Sequence, residues 1–308
     1  MSQSTPIAND FWASKKRQAR LTNTLVFIIL IVGSVVMLAP MLWMLSTSLK
    51  TASQVFAVPP IWIPHPLQWD NYSKAWNVSG IFASDTWTFL WIKMQGITFS
   101  TYAWNTFLIT IISTVGVTFS SAVVAFAFAR LRFPGRDFLF LLCLATLMVP
   151  SQVTMIPSFI LFKSMGWYDT FYPLTIPAWL GGGAYNIFLM RQFFMSIPYE
   201  LDEAAKIDGC SNFGLFWNIL LPLCKPALTT VAIFSFVYNW NDFLNPLIYL
   251  DSNANKTLAL GLTNFVSLYG QDYHLLMAAS LLISIPIVVM FLIGQKQFIQ
   301  GIVTTGLK

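Results

Sequence analysis

From Leu25 to Leu45 the chain runs for 21 residues without a charge, nearly all of them apolar. A helix of about 20 such residues crosses the hydrocarbon core of a bilayer. There, each backbone amide and carbonyl must be satisfied by the helix itself or by a neighbour, because water is absent. Comparable runs recur down the chain. Only 9% of the 308 residues are charged, where a soluble domain carries about a quarter. The sequence therefore specifies an all-α polytopic membrane protein and excludes an ordinary soluble domain.

Six candidate transmembrane helices follow, at residues 24–46, 103–128, 138–162, 173–194, 227–249 and 274–294. The first is longer than the roughly 7–15-residue apolar core of a signal peptide and is read as an uncleaved span. Basic residues collect on the cytoplasmic side of a membrane protein. With the N-terminus inside, the cytoplasmic segments hold Lys15, Lys16, Arg17, Arg20, Arg130, Arg132, Arg136, Arg191, Lys206, Lys225, Lys296 and Lys308. The outer segments hold Lys50, Lys74, Lys93, Lys163 and Lys256. This split puts both termini in the cytoplasm. It gives an N-terminal tail (1–23), a six-helix transmembrane domain (24–294) with an outer segment (46–101), and a C-terminal tail (295–308). It also accounts for the net charge of +5 without nucleic acid as a partner.

Cys143, Cys210 and Cys224 have no paired spacing, and His65 and His274 form no HxxxH or HExxH pattern, so neither a disulfide framework nor a metal site is expected. The outer segment is rich in tryptophan (Trp62, Trp69, Trp76, Trp87, Trp91). Such residues anchor a chain at the membrane interface, or here offer a docking surface to an external partner. Several spans contain helix breakers, namely Pro40, Pro150, Pro157, Pro246, Pro286 and Gly181–Gly183. Inside a membrane these are tolerated where neighbours or a water-filled cavity satisfy the freed backbone groups.

The segment 197–222, between the fourth and fifth spans, carries most information. Pro198 suits the first turn of a helix, and Glu200, Asp202 and Glu203 complement its positive end. Helical spacing puts Leu201, Ala204, Ala205 and Asp208 on one face, which two alanines make flat enough for close approach of another protein. Gly209 is placed to end the helix at positive φ. An amphipathic stretch with Phe213, Phe216, Trp217 and Leu220 follows, ending at Pro222. Physics alone leaves two readings, a helix pair lying on the inner leaflet or a docking element.

The spacing Glu203-Ala204-Ala205, Gly209, Ile219, Leu221-Pro222 resembles the complete EAA loop of bacterial importer permeases of the ATP-binding-cassette (ABC) superfamily. The chain is most similar to the carbohydrate-uptake branch, in particular the shorter, maltose-transporter-like permease partner. Supporting segments are Phe128–Arg136, Val149–Pro157, Trp240–Pro246 and Gly301–Lys308. The resemblance spans about residues 20–308 and is weakest between Val78 and Ser100. It implies an ABC importer permease fold in a bacterial inner membrane. The EAA loop would be a coupling helix docked on a cytoplasmic ATPase, with Glu203, Ala204, Ala205, Asp208, Gly209, Ile219, Leu221 and Pro222 as its elements. It implies four partners besides membrane lipid: a second homologous permease, two ATPase subunits and an extracytoplasmic solute-binding protein.

No GxxxxGK[ST] phosphate loop is present, so the chain is expected to be non-catalytic and to bind no cofactor, with ATP and magnesium held by the partner ATPase. Tyr238, Asn239, Trp240, Asn241, Asp242 and Asn245 gather amides, a carboxylate and aromatic rings at the fifth span. They suit a path for sugar rings, or equally a helix–helix hydrogen-bond cluster. Glycerol phosphate, polyols and uronate oligosaccharides are the alternative solutes; the scarcity of Lys and Arg within the spans speaks against the anionic ones and favours neutral sugars. A secondary transporter, or a membrane assembly protein without transport activity, is the rival reading. The first is disfavoured by the lack of an internal repeat.

Overall fold

The computed structural model describes residues 15–77, 86–89, 92–95, 99–267 and 270–305. Residues 1–14 of the expected N-terminal tail, 78–85 of the outer segment and 306–308 of the C-terminal tail lie outside them. Helix α1 (Lys15–Ser48) begins within the expected tail, so the basic residues there extend the first span. Residues 25–38 of α1 stay exposed within the chain although all but Gly33 and Ser34 are apolar, as on a helix that faces lipid or another subunit.

The outer segment holds α2 (Ala52–Val55), α3 (Asp70–Asn77) and a hairpin of β1 (Thr86–Phe89) with β2 (Ile92–Gln95). Asn71 is buried and donates to the carbonyls of Ser48 and Lys50, both at 2.8 Å, clamping α3 to the end of α1. Lys50 is buried too, its Nζ 3.8 Å from the Trp43 ring centroid. Trp62 and Trp69 are exposed.

Helix α4 (Phe99–Arg130) is the centre of the molecule. Small residues along it, among them Ser113, Gly116, Ser120, Ser121, Ala122 and Ala125, are buried, and small side chains let membrane helices approach closely. The predicted third span instead forms two helices, α5 (Arg136–Ala145) and α6 (Ser151–Ser164), at 99° to one another. Pro150 explains the break: the residue before a proline is driven out of the helical region, and Val149 is extended (φ −83°, ψ 116°). The predicted fourth span is also interrupted. Helix α7 (Tyr172–Thr175) and a 3-10 turn (Ile176–Trp179) lead through three glycines, all at positive φ, into α8 (Ala184–Ser196). By contrast Pro40, Pro157 and Pro286 sit inside unbroken helices.

The interrupted stretch does not waste its backbone groups. Ser113 Oγ donates to the Leu174 carbonyl at 2.8 Å, Ser120 Oγ to Ala178 at 2.9 Å, and Asn186 Nδ2 to Gly182 at 2.8 Å. This is how irregular chain survives at membrane depth. Gly182 must be glycine on two counts. Its φ is +69°, and a β-carbon would stand 2.5 Å from the Val117 carbonyl oxygen.

Helix α9 (Glu200–Ile207) is followed by α10 (Asn212–Gly214), a π-helical stretch (Leu215–Leu220) and α11 (Leu221–Leu223). The 212–223 segment lies at 78° to α12 (Lys225–Trp240). The predicted fifth span is broken at 241–243, before α13 (Leu244–Tyr249). After α14 (Leu258–Gly261) and a short antiparallel pair of β3 (Val266–Ser267) with β4 (Gly270–Gln271), α15 (Tyr273–Thr305) continues without a break through the last span into the expected tail. Among the described residues three helices, α1, α4 and α15, are singly long and apolar enough to cross a membrane.

Two cores result. One joins Phe126, Met190, Phe194, Phe216, Leu220 and Val231, and so binds the 212–223 segment to α4, α8 and α12. The other joins Phe99, Tyr102, Phe236, Trp240, Phe265 and Ala278 beside α15.

Candidate functional site

The loop 197–222 folds as a helix with an acidic first turn and a glycine end, Pro198 lying just before the helix and not in its first turn. Three acids occupy the first turn of α9, where the helix dipole favours them. At the other end Gly209 is left-handed (φ +79°). Its amide donates to the Lys206 carbonyl at 3.0 Å and the Cys210 amide donates to Ala205 at 2.9 Å, a Schellman closure that uses up the last carbonyls of the helix. No atom lies within 4 Å of where a Gly209 β-carbon would be, so the backbone angle alone calls for glycine. Ser211 then accepts from the Gly214 amide at 3.2 Å and starts the next helical segment.

The expected shared face of Ala204 and Ala205 is not what folds. Ala205 is buried against the inner core and Ala204 is exposed, with Leu201, Glu203, Ile207, Asp208 and Gly209. One alanine seats α9 on the bundle; the other leaves a low outer surface. In the following segment Phe216 and Leu220 are buried and Ile219 and Leu221 half-buried in that core, while Phe213, Trp217 and Pro222 are exposed. Phe213 and Trp217 stack with centroids 6.2 Å apart. The π turn precedes Pro222, whose ring crowds the previous turn and lacks an amide to close it; a wider turn relieves both, and π stretches recur at functional positions.

A buried ion pair fixes α9; the sequence marks Asp202 as a first-turn acid and Arg130 as a cytoplasmic base, with no sign that they pair. Arg130, the last residue of α4, places Nε 3.6 Å from the Asp202 carboxylate, with side chains 4% and 1% exposed. Its Nη2 also donates to the carbonyls of Phe194 (2.7 Å) and Ile197 (2.8 Å). Burial pushes the Asp202 carboxyl above its ordinary range, against the pull of Arg130 and Lys206.

The polar cluster of the fifth span is divided. Tyr238 and Asn239 line a cleft of about 440 Å³ with Val117, Gly182, Tyr185, Asn186, Phe234 and Ser235. Its lining has aromatic rings, amides and a hydroxyl, and no charged side chain. Trp240 points the other way: it is buried, stacks on Phe236 and donates Nε1–H to the Ile283 carbonyl at 3.0 Å. Asn241 donates back to Val237 at 2.9 Å. Asp242 accepts from the Asn245 amide (3.2 Å) and side chain (2.8 Å), holding the first turn of α13. Those four residues do not line the cleft. Tyr185 and Asn186 do, and their signal was a polar pair just past the glycine run.

At the opposite end, Asp169 adopts φ 56° and its Oδ1 accepts from the amides of Asp251 and Ser252, the Ser252 hydroxyl and Asn255 Nδ2 at 2.9–3.2 Å. Burial raises this carboxyl, but those hydrogen bonds together outweigh it and hold it below the usual carboxylate range.

This arrangement, interrupted helices around a central one with an interfacial helix below, is the fold of an ABC importer permease. A solved structure described as a bacterial ABC transporter involved in the import of the acidic polysaccharide alginate superposes with a TM-score of 0.74. It covers 91% of this chain and 97% of its own at 21% identity, a likeness of fold. Residues 116–303 match the family described as binding-protein-dependent transport system inner membrane component, and the chain belongs to that family. Relatives include the arabinooligosaccharides transport system permease protein AraQ of Halalkalibacterium halodurans, 33% identical over 87% of this chain and 90% of that one. The sn-glycerol-3-phosphate transport system permease protein UgpE of Yersinia pestis bv. Antiqua is 34% identical over 90% and 94%. The chain is thus a multi-pass inner-membrane permease subunit and not itself a catalyst.

Proposed function

We propose that this permease serves an ATP-driven importer of neutral sugars or oligosaccharides, as one half of a pair with a second permease. Two cytoplasmic ATPase subunits and an extracytoplasmic binding protein complete it, with ATP and magnesium bound by the ATPases and no cofactor by this chain. Six membrane passes with both termini inside suit the charge distribution, each interrupted helix pair counting as one pass. Glu203, Ala204, Asp208, Gly209 and Pro222 form the outward part of the ATPase contact, and Ala205, Ile219 and Leu221 seat it. Closure of the ATPases draws this element inward and turns the cleft outward.

The observation that carries the sugar reading is the cleft. Aromatic faces suit the CH faces of a sugar ring, and amides and hydroxyls suit its hydroxyl groups, while an anionic solute calls for a basic lining. Tyr185, Asn186, Tyr238 and Asn239 offer the first and lack the second. The relatives named above divide between an oligosaccharide and a phosphate ester, and the uncharged lining favours the first. The test is ligand profiling of the cognate binding protein, paired with uptake in cells lacking this chain. Binding and chain-dependent uptake of a neutral saccharide are expected; selective binding of glycerol phosphate or a uronate would refute the sugar assignment.

A further inference from the structure

Helix α9 sits lightly on the bundle. Of its eight residues only Asp202 and Ala205 are buried. Ala205 offers one methyl group, so any displacement of α9 reaches the membrane domain chiefly through the Asp202 carboxylate. Across the element boundary that carboxylate meets Arg130, the other cation that pulls on it, Lys206, being on α9 itself; Arg130 is also bonded to two carbonyls at the end of α8. Three elements, α4, α8 and α9, converge on one guanidinium.

Stability is a poor reason for this pair. Removing two charges from water costs several kcal/mol per ion, and apolar replacements of a buried pair are often neutral or stabilising. Here the pair is not saturated: among the described residues Arg130 Nε and both Asp202 oxygens find no hydrogen-bond partner. A charge attraction at 3.6 Å acts over a range of separations, unlike a tightly packed contact. An open depression of about 490 Å³ lined by Ala129, Arg130 and residues 195–200 adjoins it, so this side of the pair is not closed by packing within the chain.

We propose that Arg130 is the positioning residue of the transport cycle: paired with Asp202, it makes the inner ends of α4 and α8 follow the coupling helix. The inference rests on the ATPase-docking role given above to α9. Without the pair, ATPase closure moves α9 and leaves α4 behind.

The test uses the assembled transporter in proteoliposomes, with the native cysteines replaced and one reporter, Tyr238→Cys, placed in the cleft. ATP with vanadate closes the ATPases, and a membrane-impermeant maleimide applied outside reports opening of the cleft. In the otherwise unaltered complex, trapping should raise labelling about tenfold; no change there would sink the importer reading itself. In the double variant Arg130→Met/Asp202→Leu, which keeps volume and removes both charges, nucleotide trapping should persist and the labelling increase should vanish. If that complex does not assemble, Asp202→Asn decides by the same readout. Trapping together with an unaltered labelling increase in the assembled variant overturns the proposal. So does failure of both variants to assemble, which would make the pair a structural brace.

Discussion

At the scale of single residues, two positions separate backbone demands from contact demands. Gly209 has open space where a side chain would go, so valine there meets only the left-handed backbone penalty, about 1–2 kcal/mol. Gly209→Val should therefore leave the complex assembled, with ATP hydrolysis retained and solute uptake lost. Uptake in proteoliposomes at the unaltered rate would remove Gly209 from the coupling element. Asp169 works through charge. Its folded pKa lies below the usual carboxylate value, so its stabilisation is complete above an unfolded value near ~3.9 and disappears as pH falls through the folded one. Melting temperatures of the parent and Asp169→Asn should differ at pH 5–7 and draw together only as pH falls from about 4 through the lower folded value. A gap that is constant with pH would show that the carboxylate charge is not what holds the outer loop. Gly209 was legible in advance because an αL helix end has a local signature. The Arg130–Asp202 pair was not, because nothing local connects residues on two different elements.

Helical elements were legible where the pattern is continuous, as in α1, α4 and α15, and misjudged where breakers act. Proline is a weak guide by itself: Pro157 sits within α6, while Pro150 separates two helices at a right angle. What decides is whether a neighbour can take up the freed carbonyls, and that is a tertiary fact. For the stretch 172–183 the neighbours are Ser113 and Ser120 on α4. Replacing both with alanine leaves the Leu174 and Ala178 carbonyls without those donors, at about 1 kcal/mol each. Unfolding of Ser113→Ala/Ser120→Ala in detergent should show roughly that summed loss, and each single variant about half. A loss within error of zero would mean that other donors satisfy the interrupted chain. The division of the fifth-span cluster has the same origin. Adjacent residues on a helix point apart, so Asn239 reaches the cleft and Trp240 reaches α15.

For the whole molecule, the charge count makes an orientation testable without any solute. Fusions of a reporter active only outside the cytoplasm should be silent at position 211 and at the C-terminus and active after Gly166. The reverse pattern at any of these positions would overturn the assigned topology. The placement of α1 bears on something else, the timing of assembly. Beyond α3 at its outer end, its main neighbour within the chain is α15, which begins at Tyr273, about 225 residues after α1 ends. At a synthesis rate of ~5–20 residues per second, that helix waits ~10–45 s in the bilayer before its own chain can meet it. During this interval the first part of the protein made is the part most available to other subunits, so biogenesis of the transporter turns on what protects α1 while the ribosome is still working.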